Sequence, residues 1–138
     1  MSAAARVLAI AQARAWVGTP FHHAARVLGA GVDCGQLLAA VYRPESEVGT
    51  YPADWWQHSD EEILLEQVLR YAREVAAPEP GDIALWKFGR TWSHAGIVTA
   101  WPTVIHALGG LQVTEEDTLA NRLFQDRPVR FFSPWGDR

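Results

Sequence analysis

Apolar spacing changes character part-way along this chain, and that change limits the folds open to it. In the first half, apolar residues recur at helical intervals. Val7, Leu8, Ile10 and Ala11 lead up to Gly18 and Pro20, Leu37, Leu38 and Val41 follow Asp33, and Leu64, Leu65, Val68, Leu69 and Ala72 follow Ser59-Asp60-Glu61-Glu62. Each run carries a start or stop signal: the Gly18/Pro20 terminator, the Asp33 N-cap, and a Ser59-to-Glu62 capping box supported by a Glu66–Arg70 pair at i,i+4. Beyond Ala77-Pro78-Glu79-Pro80-Gly81 the pattern is one of short runs divided by turn residues. These runs are Asp82 to Phe88, Ser93 to Val98, Val104 to Leu108, Leu111 to Thr114 and Val129 to Phe132, separated among others by Gly89-Arg90 and Gly109-Gly110. Helices gathered early and strands late predict an α+β fold. A chain of 138 residues suits one domain spanning 1–138, with roughly two thirds of its unfolded surface buried.

Cys34 is the only cysteine, so it forms no internal disulfide, and its value lies in packing, metal ligation or reactivity. Its position in Gly31-Val32-Asp33-Cys34-Gly35 favours reactivity. With Asp33 as N-cap it sits in the first turn of a helix, where free N–H groups and the positive end of the dipole favour a thiolate. A thiolate nucleophile needs an imidazole to take and return its proton, and the imidazole needs an orienting partner. The runs around His94 and His106 flank Trp101-Pro102-Thr103, the turn of an antiparallel hairpin. If pairing centres near Ala100, the two histidines face each other, or nearly so, on one side of the sheet; a slip of one residue would separate them.

Taken together these residues resemble the NlpC/P60 family of cell-wall cysteine peptidases, in particular its short phage-type and gene-transfer-agent-type members. Five elements occur in family order: Trp16-Val17-Gly18-Thr19-Pro20-Phe21, Val32-Asp33-Cys34, Pro80-Gly81-Asp82-Ile83, Ser93-His94-Ala95-Gly96-Ile97 and Ile105-His106-Ala107. The resemblance implies a compact papain-like core, its nucleophile helix packed on a small antiparallel sheet. It implies Cys34 as nucleophile, His94 as general base and acid, His106 as the orienting third member, and hydrolysis of amide bonds in peptidoglycan stem peptides. Two positions depart from the family. Gly35 stands where a serine is common, which removes a hydroxyl from the substrate site but leaves a backbone N–H for an oxyanion hole. Phe21 stands where many members carry a tyrosine, and phenylalanine cannot donate a hydrogen bond. Either His22 or His23 replaces that donor, or turnover is slower. Asp33, Gly35, Phe21, His22 and Trp92 are thus the candidate substrate or oxyanion residues.

Seven tryptophans are many for this length; Trp16, Trp86, Trp92 and Trp101 either line a groove or fill the core. A formal charge of −4, without a basic run or a glycine-rich phosphate loop, argues against a nucleic-acid partner. No apolar stretch is long enough to span a membrane, and the arginine-interrupted N-terminus is not a convincing signal peptide. The expectation is a protein made in the cytoplasm, carried on a phage-like tail by structural partner proteins, and acting in the periplasm or cell wall. Asp82 is read as a turn residue, and Asp60, Glu61, Glu62 and His58 as solvated positions at a helix start. No cofactor or metal is expected. Two alternatives stand beside this reading: a tail-assembly adaptor that no longer cleaves, and a zinc hydrolase using Cys34, His94 and His106, with His22 or Asp33 as an optional further ligand, although no close ligand pair such as C-x-x-C is present.

Overall fold

A computed structural model describes residues 2–49 and 61–136. Helix α1 (Ser2–Ala15) is followed by a small hairpin of β1 (Arg26–Val27) and β2 (Gly31–Val32), then α2 (Cys34–Tyr42) and α3 (Ile63–Leu69). Strands β3 (Arg73–Val75), β4 (Ile83–Phe88), β5 (Thr91–Ala100), β6 (Thr103–Ala107), β7 (Val113–Asp117) and β8 (Val129–Ser133) form one antiparallel sheet in the order β3-β8-β4-β5-β6-β7. The architecture is α+β as the spacing predicts. Among the described residues no helix is long and apolar enough to cross a membrane.

Both faces of the sheet are covered. Alternation along the strands sends Ile83, Leu85, Ala95, Ile97, Ile105 and Ala107 toward the helices, where they meet Ala9 and Ala13 of α1, Leu37 and Leu38 of α2, and Leu64 and Val68 of α3. Complete burial of each Leu or Ile contributes roughly 2 kcal/mol, so this layer holds the helices in place. The other face carries Ala84, Trp86, Val98 and Val104, closed over by Phe124 from a 3-10 turn at Arg122–Phe124. Strand β4 is therefore buried on both sides from Ile83 to Trp86.

Helix α1 does not pack as its apolar residues suggest. Val7 and Leu8 are 69% and 59% exposed, while Arg6, Ala9 and Ala13 are buried. The reason is a fixed charge. Arg6 Nη1 donates to Asp82 Oδ1 at 2.9 Å and to the Pro80 carbonyl at 2.8 Å, and Nη2 reaches Ser133 Oγ at 3.4 Å. Two alanines on the same stripe let the helix approach closely enough for that reach. Asp82 also accepts from Glu79 N at 2.8 Å, the turn role read from the sequence. Gly81 between them has φ +90, and a Cβ there would lie 3.2 Å from Arg6 Cβ, so both conformation and space require glycine.

Helix α3 is shorter than its apolar pattern. It ends at Leu69, which is 51% exposed, and Ala72 lies beyond it. Ser59 and Asp60 of the expected capping box, like His58, lie outside the described residues. Glu62 occupies the N-cap position without a side-chain cap bond; its Oε1 instead accepts from Trp92 N at 2.8 Å, tying the helix start to β5. The edge strand β3 has no signal in the sequence and is held by pairing with β8.

Candidate active site

Cys34 opens α2, and Asp33 caps it. Asp33 Oδ1 accepts from Gln36 N and Oδ2 from Ala24 N, each at 2.8 Å, so this carboxylate fixes the helix start and the loop before it. The thiol is half-buried and lies 3.7 Å from the Ser93 carbonyl, to which it donates. Pairing of β5 with β6 runs only to Ile97 opposite Ile105, and the thiol contacts the part of β5 that precedes this ladder, at Ser93 and Ala95.

Burial dominates the thiol's chemistry. Desolvation, then the Asp33 charge, push it up to about 12, against the pull of N–H groups at Ala95, Gly35 and Cys34 itself. Burial is thus set against the thiolate expected at a helix terminus: the dipole acts here on a half-buried thiol whose ionisation desolvation opposes.

The hairpin register sets Ile97 opposite Ile105 and Val98 opposite Val104. This differs by two residues from a pairing centred near Ala100, and a shift of two preserves the face. His94 and His106 are therefore diagonal neighbours on one side of the sheet, with ring centroids 5.0 Å apart. His94 Nε2 lies 2.8 Å from His106 Nδ1, and His106 Nε2 lies 2.8 Å from Glu116 Oε1. Asn121 Nδ2 donates to the same Glu116 oxygen at 2.9 Å. Phe124 packs 5.4 Å from the His94 ring and 5.3 Å from the His106 ring, and Trp86 lies 5.7 Å from His94. Burial holds His94 well below the usual imidazole range, with His106 adding to the effect. His106 is lowered by burial, and the Glu116 carboxylate opposes that shift. Both rings are neutral at neutral pH.

Cys34 and His94 open onto one cavity of about 900 Å³. Phe21, Asp33 and Gly35 line it as the sequence suggests, together with His23. His22 and Trp92 do not. His22 Nδ1 faces the His23 carbonyl at 3.1 Å, and the Trp92 ring packs at the core edge with the Arg130 guanidinium 5.1 Å from it. The groove reading of the tryptophans fails with Trp92, since Trp16, Trp86 and Trp101 also lie outside the lining. Trp86 and Trp101 stack at 5.9 Å beneath the histidines as core.

Among the described residues no three His, Cys, Asp or Glu side chains are grouped to hold a metal ion. The facing nitrogens of His94 and His106 engage each other instead of converging on a shared point. Sequence reasoning missed Glu116 and Asn121. The signal for Glu116 was available: it lies opposite Val104, on the histidine face, once β7 is paired with β6.

No protein-family model matches this sequence, and no curated protein sequence does. Among solved structures, the chain superposes on the crystal structure of the NlpC/p60 domain of the peptidoglycan hydrolase SagA, with a TM-score of 0.59 over 91% of this chain and 96% of that one. This is an NlpC/p60 fold. Sequence identity is 16%, so the likeness concerns the fold, a helix bearing Cys34 at its start packed on an antiparallel sheet that bears His94.

Proposed function

We propose that the protein is a peptidoglycan stem-peptide hydrolase, a cysteine endopeptidase with Cys34 as nucleophile. The observation that carries this reading is the opening of Cys34 and His94 onto one cavity, with His94 braced through His106. The SagA likeness supplies the substrate class.

The neutral resting pair calls for proton transfer coupled to attack. As Sγ bonds to the amide carbon, its proton passes to His94, and the carbonyl electrons move onto oxygen. Backbone N–H groups at the start of α2 stabilise that oxyanion, the role left to them by Gly35 and Phe21. Collapse expels the amine, which takes the proton from His94, and leaves a thioester. Water then adds to the thioester, giving up a proton to His94, and the returning thiol completes the cycle. His106 orients His94 throughout.

A finer part of the proposal is delivery on a phage-type or gene-transfer-agent-type tail, supported by the motif resemblance; co-purification with assembled tails tests it. The buried thiol and the missing hydroxyl at Phe21 favour one rival, a tail adaptor that keeps the fold without cleaving. Mass spectrometry of purified peptidoglycan and defined stem peptides, with wild type, Cys34→Ala and His94→Ala, each with and without a chelator, decides between them. Peptide cleavage that needs both residues and ignores the chelator is the expected result. Chelator-sensitive cleavage would favour a metal-dependent hydrolase, and intact substrate with folded wild type would favour the adaptor.

A further inference from the structure

We propose that Glu116 is a positioning residue that selects the basic nitrogen of His94, acting through His106 and held in place by Asn121. This rests on the peptidase reading for its meaning, but not for its test.

The argument is one of donors and acceptors. A carboxylate only accepts, so the 2.8 Å contact between Glu116 Oε1 and His106 Nε2 requires a hydrogen on that nitrogen. A neutral imidazole carries one N–H, which leaves His106 Nδ1 as a bare acceptor. The 2.8 Å contact between His106 Nδ1 and His94 Nε2 then requires the hydrogen on His94 Nε2. His94 Nδ1 is left with its lone pair, the form a general base needs. The opposite arrangement would set the bare Nε2 of His106 against a carboxylate oxygen, two acceptors at hydrogen-bond distance.

Asn121 prevents the carboxylate from turning away. Its Oδ1 accepts from Leu123 N at 3.0 Å, which caps the 3-10 turn and points Nδ2 at Glu116 Oε1. Phe124 in the same turn packs on both imidazoles. One short segment thus supplies both the clamp on the carboxylate and the wall behind the rings.

The deciding measurement is ¹⁵N NMR of histidine-labelled, folded protein near neutral pH, with resonances assigned through His94→Gln and His106→Gln. Wild type is expected to show Nε2–H and bare Nδ1 at both rings. Glu116→Gln keeps an oxygen acceptor without the charge, and is expected to keep that pattern. Glu116→Leu removes the acceptor and should populate Nδ1–H at His94. A wild-type His94 protonated at Nδ1 would overturn the proposal without recourse to any variant. So would a Glu116→Leu spectrum identical to wild type. Where cleavage is measurable, Glu116→Leu is expected to lower kcat with KM little changed, by no more than the ~10⁴-fold that the wrong tautomer costs in a Ser-His-Asp triad. Failure of wild type to cleave would count against the peptidase reading alone, because the spectra do not depend on turnover.

Discussion

Alkylation of Cys34 against pH tests whether burial or the helix terminus governs the thiol. An ordinary thiol near 8.5 is about one-quarter ionised at a pH of about 8. Cys34, pushed up to about 12, is ionised about one part in 10⁴ at that pH. Folded protein should therefore react with iodoacetamide roughly 10³-fold more slowly than protein unfolded in urea. Slow reaction alone would also follow from restricted access, so the slope is the diagnostic quantity. The logarithm of the rate should rise by about one per pH unit to about pH 10, and His94→Gln should leave that slope unchanged. Intact-mass spectrometry gives the rate, and circular dichroism confirms that the fold persists. A plateau between about pH 6 and 8 that disappears in His94→Gln would refute the reasoning, because only a thiolate–imidazolium pair produces it.

The same groups shape stability. His94 and His106 are lowered in the fold, so their contribution is present above about 6.5 and is lost as pH falls below it; Cys34 is raised, so its contribution is present below the ordinary thiol value of about 8.5 and is lost as pH climbs toward about 12. Above the ordinary thiol value each pH unit costs about 1.4 kcal/mol, visible in urea midpoints; an alkaline limb no steeper than that of Cys34→Ala would contradict this. Arg6→Met strands the buried Asp82 carboxylate and should cost about 3–5 kcal/mol in urea unfolding, whereas a loss under about 1 kcal/mol would mean the pair contributes little. Gly96→Ala places a Cβ 3.0 Å from Val104 Cγ2 beneath the histidines and should cost about 1–3 kcal/mol, read as a lowered melting temperature. Gly35→Ser meets nothing nearer than Leu64 Cδ1 at 3.4 Å, so its stability should stay within about 0.5 kcal/mol of wild type; a larger loss would mean the helix start tolerates no side chain.

What the sequence discloses here depends on range. Asp33 and Cys34 are neighbours, and a cap acts over three residues, so the start of α2 is legible from a few letters. The shared face of His94 and His106 survives a misplaced hairpin centre because parity, not registry, decides it. The packing of α1 is hidden for the opposite reason. Its apolar residues point one way, while the contact that orients it reaches Asp82, 76 positions away. Glu116 is missed because the run read as a strand, Leu111 to Thr114, stops short of it, and only pairing with β6 carries β7 on through the polar Glu115, Glu116 and Asp117. Trp92 misleads because a residue two positions from His94 should share its face, whereas a β-bulge opposite Trp86 and Lys87 turns Trp92 to the helix side of β5.

The Arg6 contacts also bear on how the protein is made. A ribosome releases Arg6 long before Asp82, and Ser133 comes 127 positions after it. Until those partners emerge, burying α1 would strand a guanidinium away from water, at a penalty larger than its two alanines can offset. The helix must therefore wait, solvated and undocked, while the rest of the chain is synthesised. Strand β8 must insert between β3 and β4 late in synthesis, so the helix and the sheet lock together in one closing event. A nascent chain stalled before Val129 should accordingly leave α1 open to protease, and one extended past Ser133 should protect it.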